Sequence, residues 1–96
     1  MSAKPERFPA AGVPVRNLDI RTRNIRGKLL IARDATALEL DQVAAYIFRH
    51  IDGVSTMDQI AAKVAAEYGI PHDVALADSA EFVAGLQTTG MVGRAS

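Results

Sequence analysis

The side chains able to do covalent or metal chemistry in this sequence are few: two histidines, four serines and no cysteine. Without cysteine there are no disulfides, no thiolate-bound zinc, no cysteine-ligated iron–sulfur cluster and no thiol nucleophile. The serines (Ser2, Ser55, Ser79, Ser96) sit in no G-x-S-x-G elbow. Neither G-x-G-x-x-G nor G-x-x-x-x-G-K-[ST] occurs, so no phosphate-cradling loop is expected. His50 falls at a helix end beside Arg49, where a cation complements the negative end of the helix dipole, and His72 opens a helix beside Asp73 as a local cap or solvent contact. Asp78 and Glu81 lie one helical turn apart. As general acid and base they would need a pocket and displaced pKa values, and a solvated helix face accounts for them more simply. The expectation is a protein that is not an enzyme, with no catalytic residues, metal or cofactor.

The elements that position these residues follow from length and periodicity. Ninety-six residues, 49% hydrophobic and 23% charged, make one small globular domain. No apolar run approaches the length of a membrane span, and the first twenty residues hold no apolar signal core, so a cytoplasmic location is expected. Residues 1–12, with Pro5, Pro9 and Gly12 and no periodic apolar face, read as a flexible arm preceding a domain over 13–96. Leu18 and Ile20 alternate with Asp19 and Arg21 as in a half-buried strand, and Arg23–Gly27 reads as a polar break. Lys28–Ala32 is the clearest strand. Arg33-Asp34-Ala35 turns the chain into a third strand, Thr36–Leu40, with Thr36, Leu38 and Leu40 on one face. Connections this short imply an antiparallel meander.

The period then becomes helical. Asp41 caps a helix bearing Val43, Ile47, Phe48 and Ile51 that ends by Gly53. Ser55 or Thr56 caps a second, with Met57, Ile60, Ala61, Val64 and Tyr68, closed by Gly69 and Pro71. A third runs from about His72 to Thr88, with Val74, Ala75, Phe82, Val83 and Leu86 as its apolar surface and Gly90 just beyond. Met91 and Val92 return as a short strand or pack down. The expected class is α+β, a three-stranded antiparallel sheet followed by three helices.

Charge narrows the function. Residues 1–33 hold eight Lys/Arg against two carboxylates, and residues 34–96 hold three against nine. Helices two and three beside a basic hairpin have the outline of a winged helix, which makes a nucleic-acid-binding protein the alternative reading. Against it, the third helix carries Asp73, Asp78 and Glu81 and no cation, which is unfavourable beside phosphates. The third strand offers another use. As a sheet margin, the main chain of Thr36, Ala37, Leu38, Glu39 and Leu40 can accept an added strand. With the third helix alongside, Asp78 and Glu81 would favour basic residues of an extended peptide, and Leu38, Phe82 and the small Gly85 would contact its apolar ones. The same open margin permits a homodimer.

Three segments share a pattern with a known family. Leu38-Glu39-Leu40-Asp41-Gln42-Val43-Ala44-Ala45-Tyr46-Ile47-Phe48 is followed by the Ile51-Asp52-Gly53 turn and by Ser55-Thr56-Met57-Asp58-Gln59-Ile60-Ala61. Asp78-Ser79-Ala80-Glu81-Phe82-Val83-Ala84-Gly85-Leu86 then leads to Gly90-Met91-Val92. Over about residues 13–93 the chain resembles the PqqD family, named for the pyrroloquinoline-quinone biosynthesis protein D. The resemblance implies a RiPP recognition element, a winged-helix-like domain acting on ribosomally made, post-translationally modified peptides. It implies a non-catalytic chaperone that binds the leader of a precursor peptide in the groove between third strand and third helix. The leader is then presented to a modifying enzyme, often a radical S-adenosylmethionine enzyme. Carried over, the groove is Thr36–Leu40 with Asp78, Glu81, Phe82 and Gly85. Pyrroloquinoline quinone biosynthesis or another such pathway, for example to a lasso peptide, would be the setting. Many relatives carry an aromatic in the third strand, where this chain has Ala35, Thr36 and Ala37, so shallower side-chain pockets are expected there.

Overall fold

Local rules account for most of the element boundaries in the computed structural model, which describes residues 7–95. The order is β1 (Pro14–Arg16), β2 (Arg21–Ile25), β3 (Lys28–Arg33), β4 (Thr36–Leu40), α1 (Gln42–Arg49), α2 (Met57–Tyr68), α3 (His72–Thr88) and β5 (Val92–Arg94). Strands β2, β3 and β4 form an antiparallel sheet in that order, and β1 pairs with β5 in a separate two-stranded ribbon. The class is α+β, as the sequence implies, with that ribbon added.

Both hairpins of the larger sheet turn in two residues. Arg26 and Gly27 adopt φ values of 53° and 81°, the pair of left-handed conformations that a type I′ turn requires. The register then places Ile25 opposite Lys28 and Arg23 opposite Leu30. Across Asp34-Ala35, Arg33 faces Thr36 and Ile31 faces Leu38. The inner face of the sheet carries Leu29, Ile31 and Leu40, all buried, against Ile47 and Phe48 of α1, Met57, Ile60 and Val64 of α2, and Val83 and Leu86 of α3.

The helix ends are closed by side chains and glycines. Asp41 accepts the Ala44 amide at 2.8 Å and starts α1. Thr56 and Gln59 form a reciprocal capping box at α2. Gly69, at φ 63°, ends that helix. At the end of α3 the Gly90 amide donates to Gln87 and the Met91 amide to Leu86, a Schellman closure that drops Met91 and Val92 into the core. The alternative of a returning strand at this end is realised: Val92–Arg94 pairs with Pro14–Arg16.

Four expectations need correction. The alternating segment Leu18–Arg21 is a turn entering β2, and Leu18 is fully exposed at 102%. The segment read as a polar break is mostly strand β2. Its five residues are all exposed, so no burial period marks them, and cross-strand bonds to β3 hold them extended. The first helix ends at Arg49 and His50 rather than near Gly53. The flexible arm of residues 1–12 is tied down wherever it is described: Phe8 is 2% exposed, and its amide donates to the Ala80 carbonyl. The carbonyls of Gly12 and Ala10 accept the Met57 and Asp58 amides, two donors that the first turn of α2 leaves free. Residues 1–6 of that arm lie outside the described residues.

Candidate functional site

Strand β4 has β3 on one side and, among the described residues, no strand on the other. In an antiparallel ladder, opposed residues alternate between pairs that exchange both hydrogen bonds and pairs that exchange none. The pair flanking a two-residue turn is of the bonded kind, here Arg33–Thr36. Ile31–Leu38 and Leu29–Leu40 are then bonded in turn, and Ala37 and Glu39 direct their amides and carbonyls outward. Those outward groups are the ones an added strand would meet.

Side chains along β4 divide by face. Leu40 is buried and Leu38 half-buried on the core side, with exposed Thr36 at the end. Ala37 and Glu39 lie on the opposite, exposed face, where Glu39 accepts an ion pair from Lys28 at 3.0 Å. The small side chains at Ala35, Thr36 and Ala37 leave this margin unobstructed.

Helix α3 contributes the second wall. Asp78, Glu81, Phe82 and Gly85, at steps of three and four residues, share one face. Asp78, Glu81 and Phe82 line a shallow depression of about 280 Å³. Both carboxylate residues are exposed, and Phe82 is half-buried against the core. Gly85 is exposed, and a Cβ built on it would meet nothing within 4 Å, so packing does not require glycine there. Val74, read from the sequence as core, is 43% exposed and stands on the same helix stripe one turn before Asp78. Its period matches a core position, so only the packed structure separates it from one.

The structure thus brings Asp78, Glu81 and Phe82 together and keeps Thr36–Leu40 apart from them as a separate wall. Both walls lean on α1, with no direct α3–β4 packing of comparable extent. Leu38 and Phe82 form the partly open rim of the same core. At the far end the sheet approaches the end of α3. The Arg33 guanidinium, held by Asp19 at 2.9 Å, lies over Gly90, where an added Cβ would come within 2.8 Å of it.

The remaining polar features are local structure. Asp52 accepts the Ser55 and Val54 amides and the Ser55 hydroxyl, and these bonds, the Ser55 amide foremost, lower its pKa to about 2. His50 bonds the Tyr46 carbonyl through Nδ1, and His72 meets Asp58 at 2.8 Å. Burial raises the Tyr46 pKa. Among the described residues no three His, Asp or Glu gather as metal ligands, and no helix is long and apolar enough to cross a membrane.

Comparison with known proteins agrees with the fold. The fold is similar to the PqqD part of Methylobacterium extorquens PqqCD, solved by solution NMR and described as a functional, stand-alone RiPP recognition element. The TM-score is 0.80 at 26% identity, covering 96% of this chain and 100% of that one. It is also similar to TbiB1, solved in complex with the TbiA(beta) leader peptide, with a TM-score of 0.72 over 81% of this chain and 93% of that one. At 16% identity the second likeness is one of fold. No curated protein sequence matches significantly. The family model for coenzyme PQQ synthesis protein D (PqqD) matches residues 27–92, from the β2–β3 turn to the start of β5, and the chain therefore belongs to the PqqD family.

Proposed function

We propose that this chain is a non-catalytic peptide chaperone that binds the leader of a ribosomally made precursor peptide as a strand added to β4. The observation that carries the reading is that β4, among the described residues, has no strand on its outer side, with half-buried Leu38 on it and exposed Asp78 and Glu81 on α3. Main-chain bonds from Ala37 and Glu39 would supply affinity without regard to sequence, and Leu38, Phe82 and Gly85 would receive apolar side chains. Asp78 and Glu81 would favour a leader with basic residues. Family membership supports the reading, as do a relative described as a recognition element and a second relative solved with its leader.

In this role the chain would hand the leader to a modifying enzyme, of the radical S-adenosylmethionine class, in the cytoplasm. The pathway would be pyrroloquinoline quinone biosynthesis or another that matures a ribosomal peptide. A homodimer through β4 would compete with the leader for the same margin.

Titration of the isotope-labelled protein with the leader of a precursor encoded beside its gene tests the proposal. Amide shifts should cluster on Thr36–Leu40 and Asp78–Leu86, with micromolar affinity, about −8 kcal/mol. Shifts confined to Arg21–Lys28 would overturn the assignment of the groove.

A further inference from the structure

Among the described residues the sheet has a second vacant margin, and its chemistry is the opposite of the first. All five residues of β2 are exposed. The register sets Arg21 opposite Ala32 and Arg23 opposite Leu30, on the face turned away from buried Leu29 and Ile31. Arg21, Thr22 and Arg23, with Leu30 and Ala32, bound an open cleft of about 260 Å³. Ile25, 45% exposed, continues its apolar surface toward the hairpin tip.

The cations around this cleft differ in how they are satisfied. Lys28 is paired with Glu39, and Arg33 with Asp19. The side chains of Arg21, Arg23 and Arg26 form no hydrogen bond or ion pair with any described residue. Folding therefore leaves three guanidinium groups unneutralised beside an apolar floor. Residues two apart on a strand stand about 7 Å apart on one face, so Arg21 and Arg23 can each take a carboxylate while an apolar side chain enters between them. That apolar floor fits a protein partner better than a line of phosphates.

We infer that the outer face of the β2–β3 hairpin docks an acidic segment of a partner protein, one presenting two carboxylates on either side of an apolar side chain. This site is independent of the proposed leader groove, because the two use opposite margins of the sheet and share no residue.

The probe is a short acetylated peptide alternating aspartate with leucine, titrated into the full chain at low salt. Amide shifts are expected at Arg21–Ile25, Leu30 and Ala32, with affinity falling about tenfold at near-molar salt, where screening is short-ranged. The R21E/R23E variant should lose the response, and R21Q/R23Q should weaken it, both keeping a dispersed spectrum and unchanged leader binding. A lysine–leucine peptide should not bind. The inference fails if the acidic peptide leaves β2 and β3 unperturbed. It fails equally if only duplex DNA perturbs this face, which would make it a phosphate site. Wild-type dimerisation abolished by R21E/R23E would also overturn it, by assigning the face to a second copy. Loss of leader binding with retained acidic-peptide binding would sink the groove and leave this inference standing.

Discussion

Strands β4 and β2 border the same three-stranded sheet, and each turns one row of backbone groups to solvent. They differ in what stands behind that row. Leu38 and Leu40 anchor β4 into the core, and α1 packs against it. Nothing buried anchors β2, whose side chains include two arginines without partners among the described residues. Backbone vacancy alone makes any edge adhesive. The surroundings decide the partner: an apolar rim with carboxylates suits an extended basic peptide, whereas free guanidinium groups over a shallow floor suit an acidic surface. Charge also protects β2 from pairing with further copies of itself, since two such margins would bring arginine against arginine.

The sharpest way to break this comparison is to remove one outward amide from each margin. Ala37 on β4 and Thr22 on β2 both fall at non-bonded positions of their ladders, where proline deletes no bond to β3. Ala37→Pro should weaken leader binding about tenfold or more, through the lost donor and the added ring. Thr22→Pro should leave it within about twofold. Equal losses by calorimetry would mean that the margins are not distinct.

A smaller effect is expected at Gly85. Its replacement by alanine fills open space on a helix, so thermal unfolding should show a gain of about 0.5–1 kcal/mol. The same methyl group would stand in the groove and reduce leader affinity by about threefold, roughly 0.7 kcal/mol. Greater stability with unchanged affinity would remove Gly85 from the site. The smallest effect belongs to Glu39→Gln. The Lys28–Glu39 pair is exposed, so stability should change by less than about 0.5 kcal/mol. Freed Lys28 should tighten the acidic probe about twofold without altering the leader, a contrast readable in paired titrations.

The helices and the β3–β4 hairpin were legible in the sequence because burial, capping and turn chemistry coincide there. Asp41, Thr56, Gly69 and Gly90 each stand where a helix end needs them. Strand β2 was not legible because an exposed strand carries no burial period; the cue was the Arg26-Gly27 turn, whose two left-handed residues suit a hairpin. Leu18 and Val74 mimic core positions by period and are excluded only by the packing of neighbours. Of the candidate site, the α3 cluster was legible from helical spacing. The margin itself was named from strand order, but which of its groups face outward depended on register, which the two-residue loops set.

The short segment from Phe8 to Gly12 has a consequence for how this domain can be cut or joined. Its two carbonyls close the first turn of α2, and its one aromatic ring completes the core from outside the sheet. The family match begins nineteen residues later than that ring, so the physical unit is larger than the matched one. A fusion grafted immediately before Val13 would inherit the groove but not the strap that braces the helical half beneath it. Such a cut would also remove the Phe8 bond to the Ala80 carbonyl and so loosen α3, the helix that forms one wall of the cleft.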